Sequence, residues 1–388
     1  MKRLAWSGRA GILAIVIASV ACSHDGTPTS PSSSAAATAF LTPVVSSAEW
    51  PSTSPEAANL DAERLARLAG RIRGGAYGVI DSLLIARSGS LVVEEYFNGG
   101  SIAAPHTMQS VSKSVTSLLV GIAIDQGRLR LDDRVVTVMR RYAPFANPDS
   151  RKDAITVRDL LSMRGGWNWD EDSYAGSPLQ RLNECQCDWL RFVLDWPMRD
   201  PPGTRWQYVS GGVILLGGMV GEATGQRLDR FAEQFLFTPL DAQGPYWIGG
   251  MPDGLPHAGG GLYMRSRDMA KVGQLVLDEG RWRGRQIVSA DWIKQMTAPQ
   301  SPRGTRFSFA RSYGYLWWQG QLLIGDQDIE WVGALGRGGQ RLYVVPALDL
   351  VVVVTAGLYI ANGGSPAVES LAGDTALNKF VLPAALGH

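Results

Sequence analysis

The chain has 388 residues, of which 45% are hydrophobic and 19% charged, so it holds enough apolar material for one large core or two ordinary ones. Lysine and arginine total 37 against 36 for aspartate and glutamate, so there is no overall basic field of the kind that holds a nucleic-acid backbone. We therefore expect no nucleic-acid partner. The chain has only six lysines and four histidines, which limits the groups that can act as a base near neutral pH.

Residues 1–21 have the layout of a secretory signal. Three basic residues, Lys2, Arg3 and Arg9, come before the apolar stretch from Gly11 to Val20. That stretch is shorter than the roughly twenty residues a membrane-spanning helix needs. We therefore predict a signal peptide over 1–21 and an exported protein, in the periplasm or at the cell surface.

Cys22 follows Ser19-Val20-Ala21, and this segment resembles the lipoprotein cleavage box of bacteria, whose cysteine is lipidated. Ser19 stands where a larger apolar residue is usual, so plain cleavage and secretion of a soluble protein is the alternative. Removal of residues 1–21 leaves 34 basic against 36 acidic residues, a net charge of −2. A membrane contact would therefore use an N-terminal lipid and not electrostatic attraction.

Residues 22–59 are rich in serine, threonine, proline and alanine and predict a flexible spacer, so that the folded domain spans 60–388. Cys185 and Cys187 are one residue apart. A disulfide between them would be strained, so we expect free thiols. No cysteine or histidine pairs have zinc-site spacing, and we predict no metal and no cofactor.

The first predicted element of the domain is a hairpin of two apolar strands joined by a glycine turn, Leu83–Arg87 and Leu91–Phe97. Helical patterns follow over Val111–Gln126, Thr156–Met163, Gly212–Thr224 and Arg267–Glu279. Strand patterns close the chain at Gln321–Ile324, Ile329–Val332, Arg341–Val345 and Leu350–Thr355. This order predicts an α+β fold in which both termini build one central antiparallel sheet, flanked by helices, with a mainly helical lobe beside it.

Ser110 and Lys113 form the single Ser-x-x-Lys motif of the chain. On a helix this spacing puts both side chains on one face. A half-buried lysine loses solvation of its charged form, so we expect its pKa to fall and its amine to accept the serine proton. At the first turn of a helix, free N–H groups would also favour a developing oxyanion.

Two further segments contain residues that could lie at a substrate cleft. Tyr208 lies in a loop bounded by glycine and proline, just before a predicted helix. Gly338 and Gly339 precede a predicted strand, where glycine lets backbone approach a substrate closely. Packing and a plain hairpin turn are the alternatives for the two segments.

In order and spacing these segments resemble the serine β-lactamase and penicillin-binding-protein superfamily. The resemblance is to the class C-like branch, which includes esterases and 6-aminohexanoate-dimer hydrolase. It runs from about Leu60 to the C-terminus. The segments that carry it are QSVSKSVTSLLVGIAI from Gln109, ITVRDLLSMRGGW from Ile155, GGGLYMRSRDMAKVGQL from Gly259, YGYLWW from Tyr313 and GGQRLYVVP from Gly338.

The resemblance implies that Ser110 is the acylated nucleophile and Lys113 its proton acceptor. It implies that Tyr208 shares protons with the lysine and helps to activate the deacylating water. The third family motif, Lys-Thr-Gly or His-x-Gly, falls at Arg337-Gly338-Gly339, with the register uncertain by one glycine. The oxyanion hole would then be the backbone N–H groups of Ser110 and Gln340.

Departures from the family pattern argue against efficient β-lactam turnover. Ser210 stands where penicillin-recognising members have asparagine, and Arg337 replaces a lysine. Glu171 has no downstream asparagine to match the deacylation pair of class A enzymes.

The loop after Met163-Arg164-Gly165-Gly166 borders the cleft in this family. We predict that Trp167, Trp169 and Asp170 contact substrate, together with Ser210 and the Arg337-Gly338-Gly339 segment, although packing within the loop is the alternative for the aromatic residues. Glu171 and Tyr174 lie on the same loop. His106 and His257 are interpreted as structural, with His257 nearer the cleft.

The sequence therefore predicts a serine hydrolase that cleaves a small-molecule or short-peptide ester or amide. Esterase comes first, followed by amidase, D-amino-acid peptidase and β-lactamase. A rival of another class is a catalytically silent lipoprotein that binds cell-wall peptide.

Overall fold

The computed structural model describes residues 39–44, 46–250, 254–302, 310–359 and 365–387. The predicted signal peptide and Cys22 lie outside these residues. Among the described residues, no helix combines the length and the apolar character needed to cross a membrane.

The helices and strands occur mostly in separate runs along the chain. The helices are α1 Ala62–Arg73, α2 Val111–Asp125, α3 Val135–Val138, α4 Val157–Leu161, α5 Pro178–Glu184, α6 Trp189–Asp195, α7 Ser210–Thr224, α8 Leu228–Ala232, α9 Ser266–Leu277, α10 Ala290–Thr297, α11 Pro366–Thr375 and α12 Leu382–Leu386. The strands are β1 Ile80–Arg87, β2 Ser90–Tyr96, β3 Pro105–Thr107, β4 Tyr246–Trp247, β5 Gly249–Gly250, β6 Leu255–Pro256, β7 Leu262–Arg265, β8 Arg281–Trp282, β9 Arg285–Gln286, β10 Ser301–Pro302, β11 Ala310–Tyr313, β12 Trp318–Ile324, β13 Gln327–Gly336, β14 Gln340–Val345 and β15 Leu350–Ala356.

The main sheet joins the two ends of the domain. Within the described residues it has eight strands in the order β10-β11-β12-β13-β14-β15-β1-β2, and its neighbouring strands are antiparallel. The junction is the pairing of β1 with β15, from Arg87 opposite Leu350 to Ile80 opposite Ala356. The predicted α+β fold with a central antiparallel sheet is confirmed.

The centre of the sheet is apolar on both faces. Every residue of β15 is buried, and most of them are valine or leucine, which suit a strand covered on both sides. Helix α9 packs on β1, β14 and β15. Gly273 allows this close approach, because a Cβ there would lie 2.5 Å from Val351.

The helical lobe is organised around α2 and α7, which contact each other, and α4 and α6 also pack on α7. The helix predicted over Thr156–Met163 is α4, and it begins with a capping box between Thr156 and Asp159. The loop before α7 lies beside the start of α2, and this places Tyr208 near the Ser110 motif.

Residues 46–59, assigned from composition to the spacer, lie on the domain. Trp50 is 2% exposed, its ring packs edge-on against Trp282 at 5.4 Å between centroids, and its indole nitrogen donates to the Gly89 carbonyl. Ser52 forms a bridge with Leu91 of β2. The ordered chain thus begins before Leu60, because several contacts, among them the burial of Trp50, together offset the entropy of ordering this segment.

Cys185 and Cys187 form a disulfide, and the prediction of free thiols is wrong. Their Cα atoms are 5.2 Å apart, within the ordinary range for a disulfide. The chain between α5 and α6 turns enough to bring two cysteines together across a single intervening residue.

Candidate active site

Ser110 lies at the N-terminus of α2, directly after a sharp turn. The turn is fixed by a hydrogen bond from the Met108 amide to the Leu262 carbonyl, at 2.8 Å. Gln109 adopts a left-handed conformation with φ of 48°, which is unusual for a residue with a side chain and is found where the surrounding structure enforces it. The result is a half-buried serine at the positive end of a 15-residue helix.

Lys113 lies one helical turn further along the same face. Its side chain is 2% exposed, and its Nζ donates to the Ser110 hydroxyl at 3.1 Å and to the Gly259 carbonyl at 2.5 Å. Both acceptors are uncharged oxygens. The amine is thus within hydrogen-bond reach of the serine hydroxyl.

Tyr208 completes the group. Its ring centroid lies 4.8 Å from Lys113 Nζ, and the side chain is 7% exposed. The ring stacks on Trp318 at 6.1 Å and meets Tyr313 edge-on at 6.4 Å. The structure therefore brings together the three residues predicted to be catalytic and holds the tyrosine between aromatic rings.

Ser210 does not face substrate. It is 2% exposed, its hydroxyl donates to Glu171 at 2.6 Å, and its amide donates to the same carboxylate at 2.9 Å. Trp169 donates its indole N–H to Glu171 at 2.6 Å. Glu171 thus accepts three hydrogen bonds and fastens the first residue of α7, two residues after Tyr208.

Trp167 and Trp169 are 1% and 0% exposed, which favours packing within the loop, the alternative to their predicted contact with substrate. Trp169 packs on Gly211 of α7, where a Cβ would lie 2.6 Å from its ring. Asn168 between them and Asp170 after them are exposed, and the Asp170 carboxylate accepts the amide of Asp172 at 3.0 Å. Buried and exposed side chains thus alternate along this part of the loop.

The predicted third motif lies in a turn and not on a strand. Arg337, Gly338 and Gly339 connect β13 to β14, with φ of 83° and 95° at the two glycines. Arg337 is exposed, and its guanidinium lies 5.6 Å from the ring centroid of Tyr174. A turn of this kind requires glycine for its positive φ angles, which accounts for the glycine pair without a catalytic role.

Gln340 lies within β14, opposite Gly336 of β13, and is 0% exposed. Its side-chain amide donates to the Ala356 carbonyl at 2.6 Å and accepts the Ala356 amide at 3.1 Å. Gln340 is therefore tied to β15 in the sheet interior. The oxyanion role predicted for its backbone N–H stays a prediction.

The end of β13 is a better candidate than Gln340 for the part of the oxyanion hole that faces Ser110. Strand β12 pairs with β13 only as far as Gly333, so residues 334–336 have β14 on one side and an open edge on the other. A Cβ on Gly336 would lie 2.5 Å from the carbonyl oxygen of Met108. The open edge thus reaches the turn that carries the serine. The sequence signal that could have located it is Ala334-Leu335-Gly336, a glycine-ended triplet on a strand.

His257 and His106 are both structural in their contacts. Burial, and then the charge of Lys113, lower the pKa of His257 to about 4, so the ring is neutral near pH 7. Its Nε2 lies 3.2 Å from the Asn183 amide oxygen, and its ring meets Trp189 edge-on. His106 Nε2 lies 3.0 Å from Asp81. Among the described residues no group of three or more His, Cys, Asp or Glu side chains could hold a metal ion.

Comparison with known proteins places this geometry in a family. A family model described as Beta-lactamase matches residues 61–359. The 6-aminohexanoate-dimer hydrolase of Paenarthrobacter ureafaciens is 28% identical over 292 residues, covering 70% of this chain and 71% of that protein. A putative D-alanyl-D-alanine carboxypeptidase of Escherichia coli O157:H7 is 23% identical over 371 residues, covering 73% of this chain and 84% of that protein.

Solved structures share the fold. A putative 6-aminohexanoate-dimer hydrolase from Bacillus anthracis superposes with a TM-score of 0.66 at 20% identity, covering 84% of this chain and 86% of that chain. A hydrolase with promiscuous acyltransferase activity gives a TM-score of 0.65 at 16% identity, covering 82% and 98%. Since the family model spans most of the domain, including the serine, lysine and tyrosine described above, this chain belongs to the beta-lactamase family.

Proposed function

We propose that the protein is a serine hydrolase that cleaves an ester or amide through an acyl-enzyme on Ser110. The observation that carries the proposal is the buried Lys113 amine, 3.1 Å from the Ser110 hydroxyl at a helix N-terminus. A nucleophile within hydrogen-bond reach of its base is the arrangement that acyl transfer requires.

Acylation uses Lys113 as base. Lys113 takes the proton of the Ser110 hydroxyl while the oxygen attacks the carbonyl carbon, which gives a tetrahedral oxyanion. Collapse of this intermediate breaks the bond to the alcohol or amine, and the proton returns from Lys113 to the leaving group. The ring of Tyr208 lies near Lys113 Nζ, so its hydroxyl is the group that shares protons in this step.

Deacylation reverses the sequence with water. Tyr208, together with Lys113, takes a proton from water as it attacks the acyl carbon, and the proton passes to the Ser110 oxygen as that bond breaks. No residue beyond these three needs to titrate. We assign the oxyanion hole to the Ser110 amide and to the open end of β13 at residues 334–336, in place of Gln340.

Esterase and amidase are favoured over β-lactamase. The hydroxyl and the backbone N–H of Ser210 are both hydrogen-bonded to Glu171. Serine also has no side-chain amide that could bind the side chain of a β-lactam. The relative named a 6-aminohexanoate-dimer hydrolase supports an amide substrate, while the one named a carboxypeptidase keeps D-amino-acid peptides as the second candidate.

We also propose that the chain is exported and is tethered by a lipid at Cys22, with plain secretion as the alternative. The support is the arrangement of basic, apolar and small residues over 1–22. Intact-mass analysis of the mature protein, beside Cys22→Ala, tests it. A mature N-terminus elsewhere than Cys22, without lipid mass, would remove the tether.

The enzymatic proposal is tested by labelling. The folded chain is incubated with a fluorophosphonate or a fluorescent penicillin, beside Ser110→Ala, and p-nitrophenyl ester turnover is measured in parallel. We expect label and turnover in the wild type and neither in the variant. Absence of any Ser110-dependent signal would favour the rival, a silent protein that binds cell-wall peptide. A panel of esters, short amides, D-Ala-D-Ala peptides and nitrocefin then ranks the substrates.

A further inference from the structure

Two tyrosines form an exposed stack on a small sheet beside Ser110. In this sheet β7 lies between β3 and β4, and Tyr263 of β7 is opposite both Thr107 and Tyr246. Directly opposite residues share one face of a sheet. The two rings are parallel within 8°, at 5.0 Å between centroids, and Tyr246 is 46% exposed. An exposed aromatic stack of this kind is a surface on which flat or hydrocarbon groups lie.

The stack is connected to the nucleophile by short contacts. Thr107 is three residues before Ser110, a reach of at most about 10 Å for an extended chain. The side-chain amide of Gln109 donates to the Thr107 hydroxyl at 3.1 Å. On the other side, Gly259, whose carbonyl accepts from Lys113, comes four residues before Tyr263. The stack therefore flanks the reacting serine.

We call Tyr246 and Tyr263 the tyrosine strip. Uncharged side chains border the strip: Thr107 is opposite Tyr263, Gln109 bonds Thr107, and the nearby Ile248 is 51% exposed. Arg265 is on the same face of β7 as Tyr263, but its guanidinium is held by Asp268 and Glu49. An apolar group of the substrate would bury its surface against the two rings.

We infer that the tyrosine strip binds the hydrocarbon part of the substrate, an aryl group or a medium-length alkyl chain attached to the scissile ester or amide. The inference rests on the proposed function for the position of the scissile bond. It identifies Tyr246 and Tyr263 as residues that determine specificity by contact with this group.

The test compares p-nitrophenyl acetate, butyrate and octanoate, and then phenyl, benzyl and ethyl acetate, on the wild type, Tyr246→Ala and Tyr263→Ala. The first series varies the acyl side and the second the alcohol side. Tyr246→Phe keeps the ring and removes only the hydroxyl. Leu323→Ala removes an exposed apolar side chain (66% exposed) from the far end of β12 and is the matched control.

For each series we take the ratio of kcat/KM for the largest group to kcat/KM for the smallest. In one of the two series we expect this ratio to fall about three- to tenfold in both alanine variants. Tyr246→Phe and Leu323→Ala should keep the wild-type ratio. Unchanged ratios in both series for both alanine variants would overturn the inference while leaving the proposed function intact.

A binding measurement separates the two proposals. Ser110→Ala, with and without Tyr246→Ala, is titrated with octanoyl anilide, acetyl anilide and N-ethylacetamide, followed by tryptophan fluorescence. The first two compounds differ on the acyl side and the last two on the amine side, and we expect tighter binding of the larger compound in one of these pairs, with loss of that preference in the double variant. Equal binding within both pairs by both proteins would refute the strip whether or not the wild type hydrolyses esters. Failure of the proposed function would instead appear as absence of Ser110-dependent labelling.

Discussion

Lys113 Nζ lies 3.1 Å from Ser110 Oγ, and the Gly259 carbonyl holds the same nitrogen from the other side. The amine is therefore fixed in position before any substrate arrives. Replacement by alanine removes the base, and we expect Lys113→Ala to lower kcat for p-nitrophenyl acetate about 10²- to 10⁴-fold. The pH–rate profile measured from pH 5 to 10 should also differ between Lys113→Ala and the wild type.

Lys294, an exposed lysine of α10, supplies the matched control, and Lys294→Ala should behave as the wild type. A pH–rate profile indifferent to Lys113→Ala would remove the proposed base.

The Tyr208 ring is held by Trp318 and Tyr313, so its hydroxyl can be removed without loss of the packing. We expect Tyr208→Phe to remain folded and to lose about 10- to 100-fold in kcat. Because Tyr208 assists the deacylating water, the acyl-enzyme should accumulate. Mass spectrometry of the quenched reaction checks this. Equal steady-state acylation in variant and wild type would contradict the role.

Glu171 accepts N–H or O–H groups from Trp169 and Ser210 and donates nothing. A glutamine there would turn an NH₂ group toward one of these donors. We expect Glu171→Gln to lower the free energy of unfolding by about 1–3 kcal/mol and to reduce kcat through a displaced Tyr208. Urea unfolding and ester turnover measure the two effects.

The adjacent Asp170 is exposed, so Asp170→Asn is the control and should change neither quantity. A large loss of affinity for substrate in Asp170→Asn would restore the substrate contact first predicted for this residue.

The sequence was sufficient to predict elements that depend on local periodicity and composition. It predicts a strand over Leu350–Thr355 and a helix over Val111–Gln126, and both are present. Partners distant in sequence were not predictable. That Ser210 bonds Glu171, or that Trp169 packs on Gly211, depends on two loops about forty residues apart meeting in space.

The third motif shows the same limit. A glycine pair before a strand is compatible with both a catalytic edge and a turn, and only the pairing of β13 with β12 and β14 shows which residues have an open edge. The spacer was misjudged at Trp50 because composition averages over a segment. The contacts of single residues, such as the buried Trp50 and the paired Glu49, are lost in such an average.

His257 makes stability depend on pH. Burial, and then the charge of Lys113, lower its pKa to about 4 in the folded state, whereas in the unfolded chain histidine titrates near 6.5. As pH falls, the unfolded state binds the proton first. The contribution to stability is therefore fully present above about pH 6.5 and is lost as pH falls toward 4.

We expect the wild type to lose about 2–3 kcal/mol of unfolding free energy between pH 7 and 4 that His257→Gln does not lose. Urea titrations at pH 7, 6, 5 and 4, followed by tryptophan fluorescence, give both curves. Parallel curves for the two proteins would show that the neutral ring contributes nothing to acid sensitivity.

Glu49 fastens residues 46–59 to the domain through Arg265, Arg267 and Lys271. Burial opposes ionisation of the carboxyl, but the hydrogen bonds from Lys271 and Arg265 outweigh it and lower the pKa of Glu49 to about 2. Since the unfolded value is near 4.3, the stabilisation is fully present above that pH and is lost as pH falls toward 2.

We expect Glu49→Gln to lower the free energy of unfolding by about 1–2 kcal/mol at pH 7, because solvent reaches part of the carboxylate, and by less at pH 3. Limited proteolysis should release the N-terminal segment faster from the variant. Glu63, whose carboxylate pairs with Arg67 while 91% exposed, provides the comparison, and Glu63→Gln should change neither measurement. If Glu49→Gln and Glu63→Gln unfolded alike at pH 7, the ion pairs of Glu49 would contribute nothing to holding the segment.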